Sequence, residues 1–201
     1  MNQENNQSGP IPKEKALQML KSFEEAFGGD ILVDKTYRLS YNLLKGLIDQ
    51  KKDLVLRFAQ VDKELNLLYT DEAAKTKLLI NQDVAIEVDS RASDAMRKNF
   101  DDTTKGLRPK FDQYITKMFD DASKHENTRQ ITIPYQNNFD AFDPQNHTGI
   151  VLQMAIDNTA TDKTRLHKLT FVMYFESSFS KAGQPETYFD MMGLCPPGDC
   201  R

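Results

Sequence analysis

Two runs in the second half of the chain constrain its fold more than any other feature. In "GIVLQMAID" (149–157), Ile150, Leu152, Met154 and Ile156 alternate with Val151, Gln153 and Ala155. In "LHKLTFVMYFESS" (166–178), His167, Leu169, Phe171, Met173 and Phe175 alternate with Lys168, Thr170, Val172 and Tyr174. A period of two is the mark of a strand, because successive side chains leave the backbone on opposite faces. The polar stretch "DNTATDKTR" joins the runs, and so short a connection predicts an antiparallel pair over about 149–175. The shorter "RQITIPY" (129–135) also reads as a strand.

Most of the chain before this point has a helical period. "PIPKEKALQMLKSFEEAFGGD" places Pro12 in a first turn, where a missing N–H is tolerated, and Gly28-Gly29 where a helix would stop. Leu17, Leu20, Phe23 or Glu24, and Phe27 follow a period near 3.6 and form its apolar stripe. A second helix is predicted after Asp34, with Tyr37, Tyr41, Leu44 and Ile48 on one face. The Ala- and Lys-containing stretch from Asp71 to Leu79 reads as helix, and another helix opens at Ser90 through Ala92, Met96 and Phe100. A further one spans about 108–124, with Pro109 in its first turn and Phe111, Tyr114, Ile115, Met118 and Ala122 on one side.

Between them, "DLVLRFAQVDKELNLLYTDE" fits a helix through Leu54, Phe58, Val61, Leu65 and Leu68. It also fits two strands through Leu54-Leu56-Phe58 and Leu65-Leu67-Tyr69; the hairpin is the preferred reading. "DVAIEVDS" alternates briefly. Amphipathic helices followed by antiparallel strands predict an α+β fold, with the helices packed on an antiparallel sheet. A length of 201 residues suits one domain, 11–201, after a polar segment 1–10 that is expected to be disordered because it has little to hold it to a core. A faint echo between "VLRFAQVDKELNLLYTDE" and "VLQMAID" with "HKLTFVMYFES" marks a candidate duplication of 11–83 and 104–201.

The formal charge of −4 is evenly spread, with 15 basic and 16 acidic residues in the first hundred positions and 11 and 14 in the rest. Clustered Lys and Arg are what neutralise phosphates, so no nucleic-acid partner is expected. No run approaches the ~18–20 apolar residues of a membrane span.

Candidate chemistry is sparse. Cys195 and Cys200, the only cysteines, are separated by "PPGD", too far apart for a C-x-x-C redox or zinc pair. The turn between them suits a disulfide or a pair of plain thiols, and the two outcomes imply different compartments: exported if bridged, cytoplasmic otherwise. Asp121 and His125 lie one helical turn apart, as an acid/base pair or two metal ligands would. His167 falls on the apolar face of its strand, where a hydrogen-bonded core histidine is the ordinary reading. Asp157 to Lys163 lacks the spacing and distal glutamate of a calcium loop, and neither a P-loop nor a dinucleotide fingerprint is present. No cofactor and no metal is expected. "YFDMMGL", with Tyr188, Phe189 and Met191, is the candidate partner surface.

Three pieces, the opening "IPKEKALQMLKSFEEAF", the strand pair "GIVLQMAID" with "HKLTFVMYF", and the ending "YFDMMGLCPPGDC", resemble a family of small proteins from Bacteroidetes-type bacteria. That family has no assigned activity, so the resemblance implies a bacterial source and an α+β fold and transfers no functional residue. The expectation is therefore a non-enzymatic binding or interaction protein, working through an open sheet face or the aromatic C-terminal segment, with a protein or small-molecule partner. The alternative is an enzyme or small-ligand protein with a site between helices and sheet, for which Asp121, His125 and His167 are the residues to test.

Overall fold

A computed structural model describes residues 9–27, 36–119, 127–160, 166–177, 187–190 and 194–195. In chain order its elements are β1 (Gly9–Ile11), α1 (Lys13–Phe27), β2 (Thr36–Ser40), α2 (Tyr41–Asp49), β3 (Leu54–Val61), β4 (Glu64–Thr70), β5 (Thr76–Asn81) and β6 (Val84–Glu87). Then come α3 (Ser90–Asp101), α4 (Leu107–Phe119), β7 (Gln130–Ile133), β8 (His147–Asp157), β9 (Lys168–Ser177), β10 (Tyr188–Asp190) and β11 (Leu194–Cys195). The fold is α+β, and all its strand pairs are antiparallel. One sheet runs β1-β10-β9-β8-β2 and the other β11-β7-β3-β4-β5-β6.

The two sheets share one interior. Leu39, Ile150, Leu152, Met154, Phe171 and Met173 from the first pack into the same cluster as Leu54, Leu56, Phe58, Leu67 and Ile131 from the second. Phe171 is the junction: its ring lies 5.9 Å from Tyr37 and 5.7 Å from Phe58. Because side chains alternate, the outer faces need their own cover. On the first sheet α1 supplies it, setting Ala16 and Met19 against Ala155, Val172 and Tyr188. On the second, Met96 of α3 packs against Ala59, Leu68 and Leu78. Asp89 starts α3 by accepting the Ala92 N–H at 2.7 Å, one of the donors a helix start leaves unmet.

The pair expected at 149–175 is present as β8 and β9, and 54–69 is a hairpin, β3 with β4. Three expectations are corrected. The Asp71–Leu79 stretch is a turn followed by a strand, because the Asp71 carboxylate accepts the N–H groups of Ala73 (3.0 Å) and Lys75 (2.8 Å). That local turn competes with a helix, and the ladder Leu68↔Leu78 then extends the chain. Tyr37 is on a strand: Thr36–Ser40 pairs with β8 from Thr36↔Gln153 to Ser40↔Gly149, and α2 begins only at Tyr41. Gly149 permits this pairing, since a Cβ there would lie 2.3 Å from the Leu39 carbonyl oxygen. Finally, Gly9 and Pro10, placed in the polar leading segment, belong to β1 and pair with Asp190 and Phe189.

Candidate binding groove

The second sheet comes apart at one corner. β4 pairs with β3 from Tyr69 through Glu64, whereas its ladder to β5 ends at Leu68↔Leu78. Beyond that pair the β5–β6 register shifts between Leu79 and Asn81, leaving Ile80 as the extra residue of a bulge. A bulge bends its strand, so the β5–β6 hairpin swings away from the first half of β4. Its tip is held elsewhere: the Ser40 N–H at the end of β2 donates to the Gln82 carbonyl at 2.7 Å.

The result is a wedge-shaped cleft of about 980 Å³ bounded by Thr36–Arg38 of β2, Glu64–Asn66 of β4 and the hairpin residues 79–83. Tyr37 reaches from one sheet to the other beneath it, its hydroxyl donating to the Leu65 carbonyl at 3.4 Å. Arg38 is tied at its head to Glu176, 2.6 Å away. The rims are backbone. β2 is the outermost described strand of its sheet, and the Glu64–Leu67 and Leu79–Asn81 segments are not paired with each other. The side chains supply amides (Asn66, Asn81, Gln82), two carboxylates (Glu64, Asp83) and the aliphatic Ile80. Ile80 is 53% exposed, and on the adjoining β6 Val84 and Ile86 are 45% and 49% exposed. Such a lining offers hydrogen bonds and apolar contact. It contains neither a histidine nor a cysteine.

No family model, no curated protein and no solved structure matches this chain. The groove therefore has to be understood from its own chemistry.

The residues singled out in the sequence do not converge on it. His167 lies in the turn before β9 with φ 61°, off the strand face expected for it. Its N–H donates to the Asp157 carbonyl at 2.7 Å and its ring stacks on Phe119 at 3.8 Å, so it serves the turn and the packing. Tyr188 and Phe189 are 5% and 2% exposed, built into the two faces of the first sheet, and present no adhesive surface. Asp121, His125, Met191 and Cys200 lie outside the described residues, and with them the acid/base pair and the Cys195–Cys200 bridge. The backbone of Cys195 extends the second sheet opposite Gln130. Asp157 is buried, and its carboxylate accepts the Thr159 N–H and hydroxyl, which makes it a turn-forming residue of the loop weighed for calcium.

Asp112 and His147, which the sequence did not flag, are among the titratable groups with shifted pKa values. Burial raises the Asp112 carboxyl above its usual range, partly opposed by its bonds to Asn127 and by the charges of Arg108 and Lys168. It accepts the Asn127 N–H at 3.0 Å and an Arg108 N–H at 3.1 Å. Asn127 in turn takes the Leu169 N–H at 3.0 Å, so this knot fastens α4 to the start of β9. Burial among aromatic rings lowers His147: Phe142 and Phe175 lie 5.2 and 4.8 Å away, and Nδ1 accepts the Asp143 N–H at 2.9 Å. Neither group lines the wedge. Among the described residues no three His, Cys, Asp or Glu side chains gather as metal ligands, and no helix is long and apolar enough to cross a membrane.

Proposed function

We propose that this is a non-enzymatic binding protein that receives an extended peptide segment in the wedge between β2, β4 and β5. The observation that carries this reading is the opening of the β4–β5 ladder after Leu68↔Leu78 beside an exposed aliphatic hairpin. An extended chain alternates donors and acceptors along its length, and strand edges match it with backbone groups while neighbouring pockets select alternate side chains. Here Ile80 would hold an apolar position, and Glu64, Asn66 and Gln82 the polar ones.

The test is selection of peptides from a random displayed library against the full chain, followed by fluorescence anisotropy on the synthetic peptides. Ile80→Asp removes the aliphatic wall at an exposed site and is expected to weaken selected peptides at least about tenfold while shifting stability by no more than about 0.5 kcal/mol. Failure to select any peptide, or peptides indifferent to Ile80→Asp, would overturn the reading.

A further inference from the structure

The outer face of the second sheet holds a cation, Arg57, with no ion-pair partner among the described residues. Arg57 stands on β3 opposite Leu68 of β4 and Gln130 of β7, on the face away from the shared core. α3 covers only part of that face, packing Met96 on Ala59, Leu68 and Leu78. Val55, Arg57, Thr70, Gln130 and Thr132 beside it are half-buried. Arg57 Nε donates to Gln130 Oε1 at 3.0 Å and Nη1 donates to Thr70 Oγ1 at 2.8 Å. Both acceptors are neutral. A guanidinium has five N–H donors, so three remain, all at its outer end.

Two other arginines of this region are neutralised. Arg108 bonds Asp101 at 2.7 Å and Asp112 at 3.1 Å, and Arg129 bonds Asp101 at 2.9 Å. No carboxylate among the described residues lies within ion-pair distance of Arg57, and the charge that acts on it is that of a second cation, Arg97 of α3. Partial burial and the Arg97 charge both lower the Arg57 pKa. Arg97 itself has only Asp94, 3.8 Å away and exposed. A half-buried cation is unfavourable until an anion meets it. Gln130 and Thr70 hold the guanidinium plane so that its free edge is already oriented, which lowers the entropy lost when a forked partner docks.

We propose that Arg57, supported by Arg97, is a binding site for the oxyanion of a ligand, a carboxylate or a phosphate group, on the outer face of the second sheet beside α3. The site shares no residue with the wedge and stands whether or not the wedge takes a peptide.

The experiment uses the full chain with inorganic phosphate and sodium acetate as probes, each against sodium chloride at matched ionic strength. A concentration ten times the Kd is expected to raise Tm by about 3 to 6 °C over chloride for a chain of this size. A response to phosphate alone, to acetate alone or to both supports the site and names the oxyanion it takes. Arg57→Met is expected to abolish the response while leaving Tm in chloride unchanged or higher, because it deletes an uncompensated charge. Should Arg57→Met fail to fold, Arg57→Lys keeps the charge without the fork and is expected to fold and bind several-fold more weakly. No shift beyond chloride with either probe, a shift that survives in Arg57→Met, or a shift undiminished in Arg57→Lys would overturn the proposal.

Discussion

The β8–β9 and β5–β6 hairpins are built from similar apolar residues and end in opposite roles. After one shift between His147 and Gly149, β8 and β9 stay in register from Gly149↔Glu176 to Asp157↔Lys168, lie between β2 and β10, and are covered by the second sheet on one face and α1 on the other. β5 and β6 pair over a few residues, break register at Ile80 and form the outer margin of their sheet, with three aliphatic side chains about half exposed. What decides the role is the neighbour, not the residue type. Apolar residues that no core requires, beside a strand edge, are what the proposed peptide site draws on. The same margin is kept from indiscriminate pairing by charge: Lys75 and Lys77 both reach Glu87, at 3.0 and 3.1 Å, and Lys77 also reaches Asp71 at 3.4 Å.

The contrast can be broken from the buried side first. Phe171→Ala empties the junction between the sheets and is expected to cost about 3–5 kcal/mol in urea denaturation. Gly149→Val comes next, at about 1–3 kcal/mol by the same measurement, since its Cβ would collide with the Leu39 carbonyl and the Ser40 Cα. It would also displace the end of β2 and so release the Ser40–Gln82 bond that closes the wedge. A smaller effect is expected from His147. Its folded pKa is depressed, so between that value and the unfolded value of about 6.5 the unfolded chain binds more protons. Its contribution is therefore intact above about pH 6.5 and lost as pH falls through the lower folded pKa. His147→Gln should flatten that part of a Tm-against-pH curve. Ile86→Ser, on the exposed hairpin, should change stability by no more than about 0.5 kcal/mol. A loss comparable to Phe171→Ala there would show that the hairpin is core after all.

The sequence was most legible where neighbours reinforce a local period. The alternation through Ile150–Ile156 and Leu169–Phe175 is continuous, and both strands are central. It misled where elements meet. Tyr37, Tyr41, Leu44 and Ile48 keep helical spacing, yet the first of them lies on a five-residue strand fixed by its ladder to β8. At Asp71–Leu79 the Ala and Lys content suggested helix, while the Asp71 turn and the β4 ladder determined the outcome. The wedge was beyond the sequence because it arises from one extra residue in a register, although "NQD" at 81–83 is turn chemistry that could have marked the hairpin tip. Arg57 was visible as a lone charge between Leu56 and Phe58, but its lack of a carboxylate partner among the described residues depends on which residues the sheet places beside it.

Native-state hydrogen exchange tests the contrast most directly. β8 and β9 amides are expected to exchange only through global unfolding, with β5, β6 and the hairpin tip around Gln82 opening locally and exchanging far faster. Equal protection of the two hairpins would contradict the account.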